Sequence, residues 1–540
     1  MKKKYILLVP ILSGLLLGLS FPPYPFNLLA FIGFVPLLIN FTEVSNKKWK
    51  FAQIYLTFFI YHSLCNWWIG SWQADTDPYL TASAIALALM HPFFFFLPFI
   101  PFFYLQRKYG NNTALWIFPF LWVSFEWLHS LGEFSYPWLS IGNTQIQATY
   151  WIQFIDIFGI WGASFLVVVV NILIIKSIIV FKSNTVKGKM FFFRIRLNLF
   201  LLLLIIFLPL IYSLMAIPKW KQRSDFAKKI NVGIIQPAIN PWRKWDSSPQ
   251  LQIENQIRMQ DSLMELNPDI DLMLWSETSI PTHINFSEKS EYNFLQNWSS
   301  KHNVSVMTGF AEIEIYRNLD SAPPTSNYFR NDSGTKFESF NSAIMVNPDG
   351  QNSKYRKMKL TPFAERLPYA DYLLFMRSWF EWGVGISGWG IGREQNNLLL
   401  TRNSINTNIA PIICIESIYP GFVSNFANQG AELFTVITND AWYDYTPGPR
   451  QHFLISQARA IENKRFVVRC ANTGISGLIS AWGTSEQELP SYKKNGMRVT
   501  APLLKGKTLY TMFGDWFPFL NLLLVIAFFI VRLFYDKPSK

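Results

Sequence analysis

Eight apolar runs decide what this 540-residue chain can fold into. They cover 5–20, 26–42, 51–70, 80–106, 114–131, 154–181, 197–217 and 516–534. Each approaches or exceeds the roughly 17–25 residues that carry a helix across a bilayer. Half of the chain is hydrophobic and only 15% is charged, too greasy a balance for one soluble domain. The runs therefore predict a multi-span α-helical membrane domain, with seven helices before residue 218 and an eighth at the end.

Loop charge gives the orientation independently of hydropathy. If the "MKKK" start is cytoplasmic, so are 43–50, 107–113, 182–196 and the tail after 531, and these five segments hold sixteen of the 48 Lys and Arg. The alternate short loops, 21–25, 71–79 and 132–153, hold none. That asymmetry is the positive-inside pattern; it places both termini in the cytoplasm and 218–515 on the outer side. The net charge of +13 is then mainly topological, and a nucleic-acid surface is not its cause. The alternative for the first run is a cleaved signal peptide, because Lys2 to Lys4 resemble its basic start; no small-x-small cleavage site follows.

Residues 218–515 carry most of the Asp and Glu and no long apolar run. Strand patterns at 230–237, 271–278, 304–313, 407–416, 431–440 and 466–482 alternate with helical ones around 250–260, 289–300, 417 onward and 450–464, and two β-rich runs flank Pro348-Asp349-Gly350. Alternation of this kind predicts a layered α/β domain. The expected domains are 1–217, 218–515 and 516–540.

Candidate chemistry sits at strand ends. In "PIICIESIYP" (411–420) Cys414 closes an apolar strand just before a helix. A residue there can project into a cleft as a nucleophile, with the next N–H groups facing the same space. Two other readings stay open: a buried small hydrophobe, or a disulfide with Cys470 in an oxidising compartment. Glu277 in "LWSETSIP" also follows a strand end and, taken alone, reads first as a solvated turn residue. In "YRKMKLTPFAERLP", Lys357, Lys359 and Glu365 read alone as a basic strand entering a turn. No His/Cys metal spacing or Gly-rich phosphate loop stands in the sequence.

Taken in order, these three motifs resemble the Glu, Lys and Cys motifs of the carbon–nitrogen hydrolase (nitrilase) superfamily. The resemblance implies an αββα sandwich with Glu277 as general base, Lys357 as the cation of the tetrahedral intermediate and Cys414 as nucleophile. Glu365, eight residues after Lys357, would be the second glutamate that orients the site. Glu416 would support it, and the Ile415 N–H would share the oxyanion with Lys357. The whole chain resembles the apolipoprotein N-acyltransferase family, through "FEWLHSLGEFSYPWLSIGNTQ" (125–145), "QPAINPWRKWD" (236–246), "NDAWYDYTPGPRQHF" (439–453) and "ARAIENKRFVVRCANTGIS" (458–476). Trp245 matches a tryptophan that the family uses near its active site. Ile415 stands where Tyr is common, Ala364 where Gly is common, and "WLHSLGE" lacks an arginine that family members often carry.

What the family resemblance implies is a ping-pong acyl transfer in the bacterial inner membrane. A phospholipid would donate the acyl group, a diacylglyceryl apolipoprotein would accept it on its α-amine, and neither metal nor cofactor nor nucleic acid would take part. Two alternatives remain, a membrane-tethered amidase or nitrilase that passes the group to water, and a silent lipoprotein scaffold. The loop 366–395, with Phe375, Trp379, Phe380, Trp382 and Trp389 among glycines, is expected to be a lid; packing of these aromatics on the sandwich is the other reading.

Overall fold

The computed structural model describes residues 3–43, 46–71, 76–182, 188–244, 248–329, 332–373, 375, 388–443 and 445–535. Trp245, Trp379, Phe380 and Trp382 lie outside the described residues.

All eight apolar runs are helical. Among the described residues, four stretches are long and apolar enough to cross a bilayer: Pro78–His129, Ile160–Lys182, Lys189–Asp225 and Trp516–Phe534. Leu7–Ser20 and Asn27–Glu43 are shorter apolar helices. Lys47–Asn66 has 20 residues, but Lys47, Lys48 and Lys50 lie within its first turn. The runs 80–106 and 114–131 divide differently from expectation. One helix, Pro78–Met90, ends at His91 and Pro92, and a second runs from Phe96 to His129. That second helix is broken at Gly110, whose φ of 82° and ψ of 168° leave the helical region, a conformation glycine reaches without a Cβ clash.

The helices interlock through aromatic rings and small residues. Phe58 stacks on Phe95 with ring centroids 4.1 Å apart, and Trp122 packs on both. At Gly18 a Cβ would lie 2.5 Å from Leu64, so glycine is what lets the first helix approach Lys47–Asn66. Leu208, Leu214 and Met215 on one helix, and Leu533 and Phe534 on another, are exposed. Helices apolar on their outer faces as well as inside belong in lipid. The helix beginning at Gly188 passes the expected boundary at 217, tolerates Pro218, and ends at Asp225; the first strand starts four residues later.

Two sheets follow. The first contains β1 (Lys229–Gln236), β2 (Leu272–Trp275), β3 (Ile280–Ile284), β4 (Ser305–Tyr316), β5 (Asn327–Phe329), β6 (Asp332–Val346), β7 (Ser353–Arg356) and β14 (Asn495–Pro502). The second contains β8 (Leu398–Arg402), β9 (Ile405–Ile413), β10 (Leu433–Thr438), β11 (Val467–Ala471), β12 (Ser476–Ile479) and β13 (Ser485–Leu489). Their orders are β14-β1-β2-β4-β6-β5, with β3 on β4 and β7 on β6, and β13-β12-β11-β10-β9-β8. β14 lies antiparallel to β1, so the last strand closes on the first.

Strand alternation builds the sandwich. On β2, Leu272 and Leu274 enter the core shared with Ile412 and Val436 of the other sheet, while Met273 and Trp275 pack under helices Pro249–Leu266 and Asn293–His302. A strand covered on both faces must be apolar throughout, which is why "LMLW" shows no alternation. Helices Pro420–Asn428 and Pro447–Asn463 cover the second sheet, giving helix, sheet, sheet, helix. Leu454, Ile455 and Ile461 of the latter join the apolar cluster of the membrane helices, so the sandwich rests on the membrane domain through this helix.

Candidate active site

Three strand ends converge. β9 stops at Ile413, and Cys414 adopts a left-handed φ of 51° before the turn Cys414–Ile418. A non-glycine residue held there stores strain of about 1–3 kcal/mol, and it aims the side chain out of the sheet. Glu277 follows β2, and its neighbour Thr278 is also left-handed, at φ 47°. Lys357 stands one residue beyond β7.

These residues line one pocket, together with Glu365, Asn341 and Lys244. Lys357 Nζ donates to Glu277 Oε1 at 3.0 Å and to Glu365 Oε1 at 2.8 Å. Asn341 Nδ2 donates to the same two oxygens, at 2.7 and 3.1 Å. The second oxygen of Glu277 accepts the Asn439 N–H at 2.9 Å, and that of Glu365 accepts the Thr361 N–H at 2.8 Å. Both carboxylates are thus fixed at each oxygen. Leu80, from the helix Pro78–Met90, reaches the same pocket, so the membrane domain forms part of its wall.

Burial and charge set the protonation states. Burial pushes the Cys414 thiol up, Glu277 adds to the shift, and Lys357 opposes it. The resting thiol is neutral and needs a proton acceptor to react. Burial works against the charge of Lys357, but Glu277, Glu365 and Cys414 hold its ammonium well above the usual lysine range. Glu365 has the opposite balance: burial would raise it, and Lys357 brings it below its ordinary value. Lys244 is lowered by burial to about 8.

Glu416, two residues after the cysteine, is fully buried and pushed up by burial to about 7. Its Oε1 accepts the Tyr355 hydroxyl at 2.6 Å and the Met358 N–H at 2.7 Å, and its Oε2 accepts the Ile413 N–H at 2.9 Å. The expected residues Glu277, Lys357, Glu365, Cys414 and Glu416 therefore meet. Ile415 buries its side chain in the apolar cluster of the membrane domain. Lys359 points elsewhere, its Nζ lying 5.2 Å above the Tyr419 ring. Of the expected lid aromatics, Phe375 is exposed and Trp389 is buried against the pocket.

Sequence reasoning missed Asn341, Tyr355, Asp440, His452 and Arg469. Asp440 and His452 stand in "NDAWYDYTPGPRQHF", twelve residues apart across a turn and a helix, so nothing in their spacing announces a contact. Cys414, Asp440 and His452 offer ligand atoms all within 4.8 Å of one another, a spacing that can hold a metal ion. Asp440 is already engaged by Arg469 at 2.8 Å and by Thr438 at 2.9 Å. Cys65, Cys414 and Cys470 are free thiols. Cys470 pairs with Ile437, which pairs with Ile413, so two strand spacings of about 4.8 Å each separate it from the elbow. That exceeds disulfide reach.

Comparison with known proteins agrees with this architecture. Residues 13–173 match the apolipoprotein N-acyltransferase N-terminal domain, and residues 231–486 match the carbon-nitrogen hydrolase domain. The apolipoprotein N-acyltransferase of Chlorobaculum tepidum is 30% identical over 518 residues, covering 94% of this chain and 93% of its own. The chain belongs to the apolipoprotein N-acyltransferase family. The Borreliella burgdorferi enzyme of that name is 27% identical over 535 residues, covering 96% of this chain and 94% of its own. Among solved structures, Saccharomyces cerevisiae Nit3, a member of branch 10 of the nitrilase superfamily, is 15% identical with a TM-score of 0.37, covering 51% of this chain and 90% of its own.

Proposed function

We propose that this membrane enzyme N-acylates lipoproteins, moving an acyl chain from a phospholipid to the α-amine of a diacylglyceryl-cysteine apolipoprotein. The observation that carries the reading is one buried pocket in which two carboxylates share Lys357 beside an elbow cysteine. In the first half-reaction Glu277 takes the Cys414 proton and sulfur attacks the acyl ester carbon. The C–O bond breaks, the proton passes from Glu277 to the departing lysophospholipid oxygen, and a thioester remains. In the second, the acceptor amine attacks, Glu277 takes the amine proton, the C–S bond breaks, and Glu277 returns that proton to the sulfur to restore the thiol.

Lys357 and the Ile415 N–H stabilise the oxyanion in both steps, with Glu365 holding Lys357 in place. The elements present are those acyl transfer requires: a nucleophile, a positioned base and a fixed cation.

The sandwich, from Lys229 to Pro502, faces the periplasm of a bacterial inner membrane, between the helices that end at Asp225 and a last span (Trp516–Tyr535), with both termini cytoplasmic. Trp389, at the far end of the loop 366–395, lines the pocket. Leu80 in the pocket wall supports entry of both lipid substrates from the bilayer. The test is mass spectrometry of a diacyl lipopeptide incubated with purified protein and phospholipid. An acyl group added to the peptide amine supports the reading, and release of free fatty acid with no peptide product overturns it in favour of hydrolysis.

A further inference from the structure

Behind the elbow lies a buried polar group that the reaction above does not use. His452, on helix Pro447–Asn463, places Nε2 3.1 Å from the Cys414 carbonyl oxygen and 2.8 Å from Ser417 Oγ. Ser417 Oγ donates to that same carbonyl at 2.9 Å. A carbonyl oxygen can only accept, so Nε2 carries a proton. The other ring nitrogen, Nδ1, lies 2.8 Å from Asp440 Oδ1 and 2.9 Å from an Arg469 nitrogen. A proton on Nδ1 donates to Asp440. The ring is thus held between Asp440 and the elbow, and His452, Asp440, Arg469 and Ser417 are all buried.

The orientation of this carbonyl matters because a peptide unit is planar. In a trans peptide the C=O of Cys414 and the N–H of Ile415 point in opposite directions from one rigid plane. Fixing the oxygen at two points therefore fixes the direction of the Ile415 N–H. That N–H lies in the first turn after the strand, where no intrahelical acceptor exists. Among the described residues no acceptor is recorded for it, which leaves it to a substrate oxygen. The left-handed φ of Cys414 makes an external brace necessary, since the chain would otherwise relax toward an unstrained region and rotate the plane with it.

We propose that His452 is a positioning residue: through the Cys414 carbonyl it aims the Ile415 N–H at the developing oxyanion. Its own helix is held from the membrane side. Gln451 Oε1 accepts from the indoles of Trp68 and Trp138, at 3.1 and 2.8 Å, and the Trp138 ring lies 5.5 Å from the His452 ring. The membrane domain thereby sets the height of the helix from which His452 reaches the elbow.

This inference rests on Cys414 being the nucleophile, and the test separates the two. Two rates are measured on full-length protein in detergent: acylation of Cys414 by phospholipid, and alkylation of Cys414 by iodoacetamide. Alkylation needs the thiol but forms no oxyanion. In His452→Leu acylation falls on the order of 10², approaching the loss of one oxyanion donor, while alkylation is unchanged. His452→Gln, whose amide can donate to the same carbonyl, recovers part of the acylation rate. If His452→Leu does not fold, Ser417→Ala removes the other donor to that carbonyl and gives the same split at smaller amplitude. Equal losses in both rates, or unchanged acylation, overturn the inference alone. A wild-type Cys414 that takes no acyl group from phospholipid overturns the nucleophile reading and this inference with it.

Discussion

Glu416 accepts the backbone N–H of Met358 at 2.7 Å, tying the turn after the cysteine to the segment after the lysine. With Tyr355 and Ile413 on the same carboxylate, this one side chain sets the spacing between two strand ends from different sheets. It answers why the sequence places a glutamate two residues after Cys414.

Glu416→Ala is therefore expected to be among the most damaging substitutions near the site. It leaves the Tyr355 hydroxyl and the N–H groups of Ile413, Met358 and Lys359 without their acceptor, and a buried donor left unpaired costs roughly 1–3 kcal/mol. Thermal unfolding in detergent should show a clearly lowered midpoint, and acyl transfer should be lost. A variant with wild-type stability and activity would mean that the two segments hold their spacing without it.

Gly309 controls Glu277 from below. A Cβ there would lie 2.5 Å from the Thr278 nitrogen and 2.8 Å from the Glu277 Cα. Both are backbone atoms that cannot swing away. Gly309→Ala should displace Glu277 and slow acyl-enzyme formation; a shift near 1 Å in a reacting group costs on the order of 10² in rate. The check is single-turnover acylation at saturating phospholipid, and an unchanged rate would show that the loop absorbs the methyl group.

The parts legible in the sequence were those with short-range signatures. Apolar runs marked the four stretches long and apolar enough to cross a bilayer, and strand ends at Glu277 and Cys414 marked the pocket because strand termini are where side chains leave a sheet. Glu416 was visible only through family resemblance, and its contacts with Tyr355 and Met358 join segments about 60 residues apart. Asp440, His452 and Arg469 come from a turn, a helix and a strand, and only tertiary packing brings them together. β3, β5, β8, β13 and β14 were unmarked, since edge strands such as "SEQEL" lack the alternation that burial imposes. The helix divisions at His91 and Gly110 were missed because hydropathy is blind to backbone breaks within an apolar stretch.

Topology is tested by reporter fusions. The basic segments lead to the expectation that fusions at 47, 108 and 188 report cytoplasm and fusions within 218–515 report the outer side. A cytoplasmic signal from the sandwich would overturn the orientation.

The Lys357–Glu365 pair predicts a pH window. The folded-state pKa of Glu365 is depressed, so its contribution to stability is present above the unfolded value of about 4.3 and is lost as pH falls through the lower folded value. That of Lys357 is raised, so its contribution is present below the unfolded value of about 10.4 and lost as pH rises through the higher folded value. Lys357→Met strands buried carboxylates at a cost of roughly 3–5 kcal/mol. The deficit relative to wild type should be largest near neutral pH and shrink at acid pH, where Glu365 takes up a proton. A deficit independent of pH would show that lost packing, rather than charge, destabilises the variant.

The last prediction separates the two lysines. Lys357 is 1% exposed and bonded to both glutamates, whereas Lys359 sits over the Tyr419 ring and contacts Glu416 only through its backbone N–H. β7 ends at Arg356, so strand alternation does not relate them, and their different surroundings come from the turn that follows. Cys414→Ala should form no acyl-enzyme with phospholipid. Glu277→Gln should be slowed by roughly 10²–10⁴, the usual worth of proton transfer. Lys357→Ala should lose intermediate stabilisation on the order of 10²–10³, while Lys359→Ala should stay within about tenfold of wild type, since its side chain contributes one cation–π contact of about 0.5–2 kcal/mol. The measurement is acyl-enzyme mass after incubation with phospholipid, followed by a chase with diacyl lipopeptide. A Lys359→Ala protein as inactive as Lys357→Ala, or an acylated Cys414→Ala protein, would require the chemistry to be reassigned.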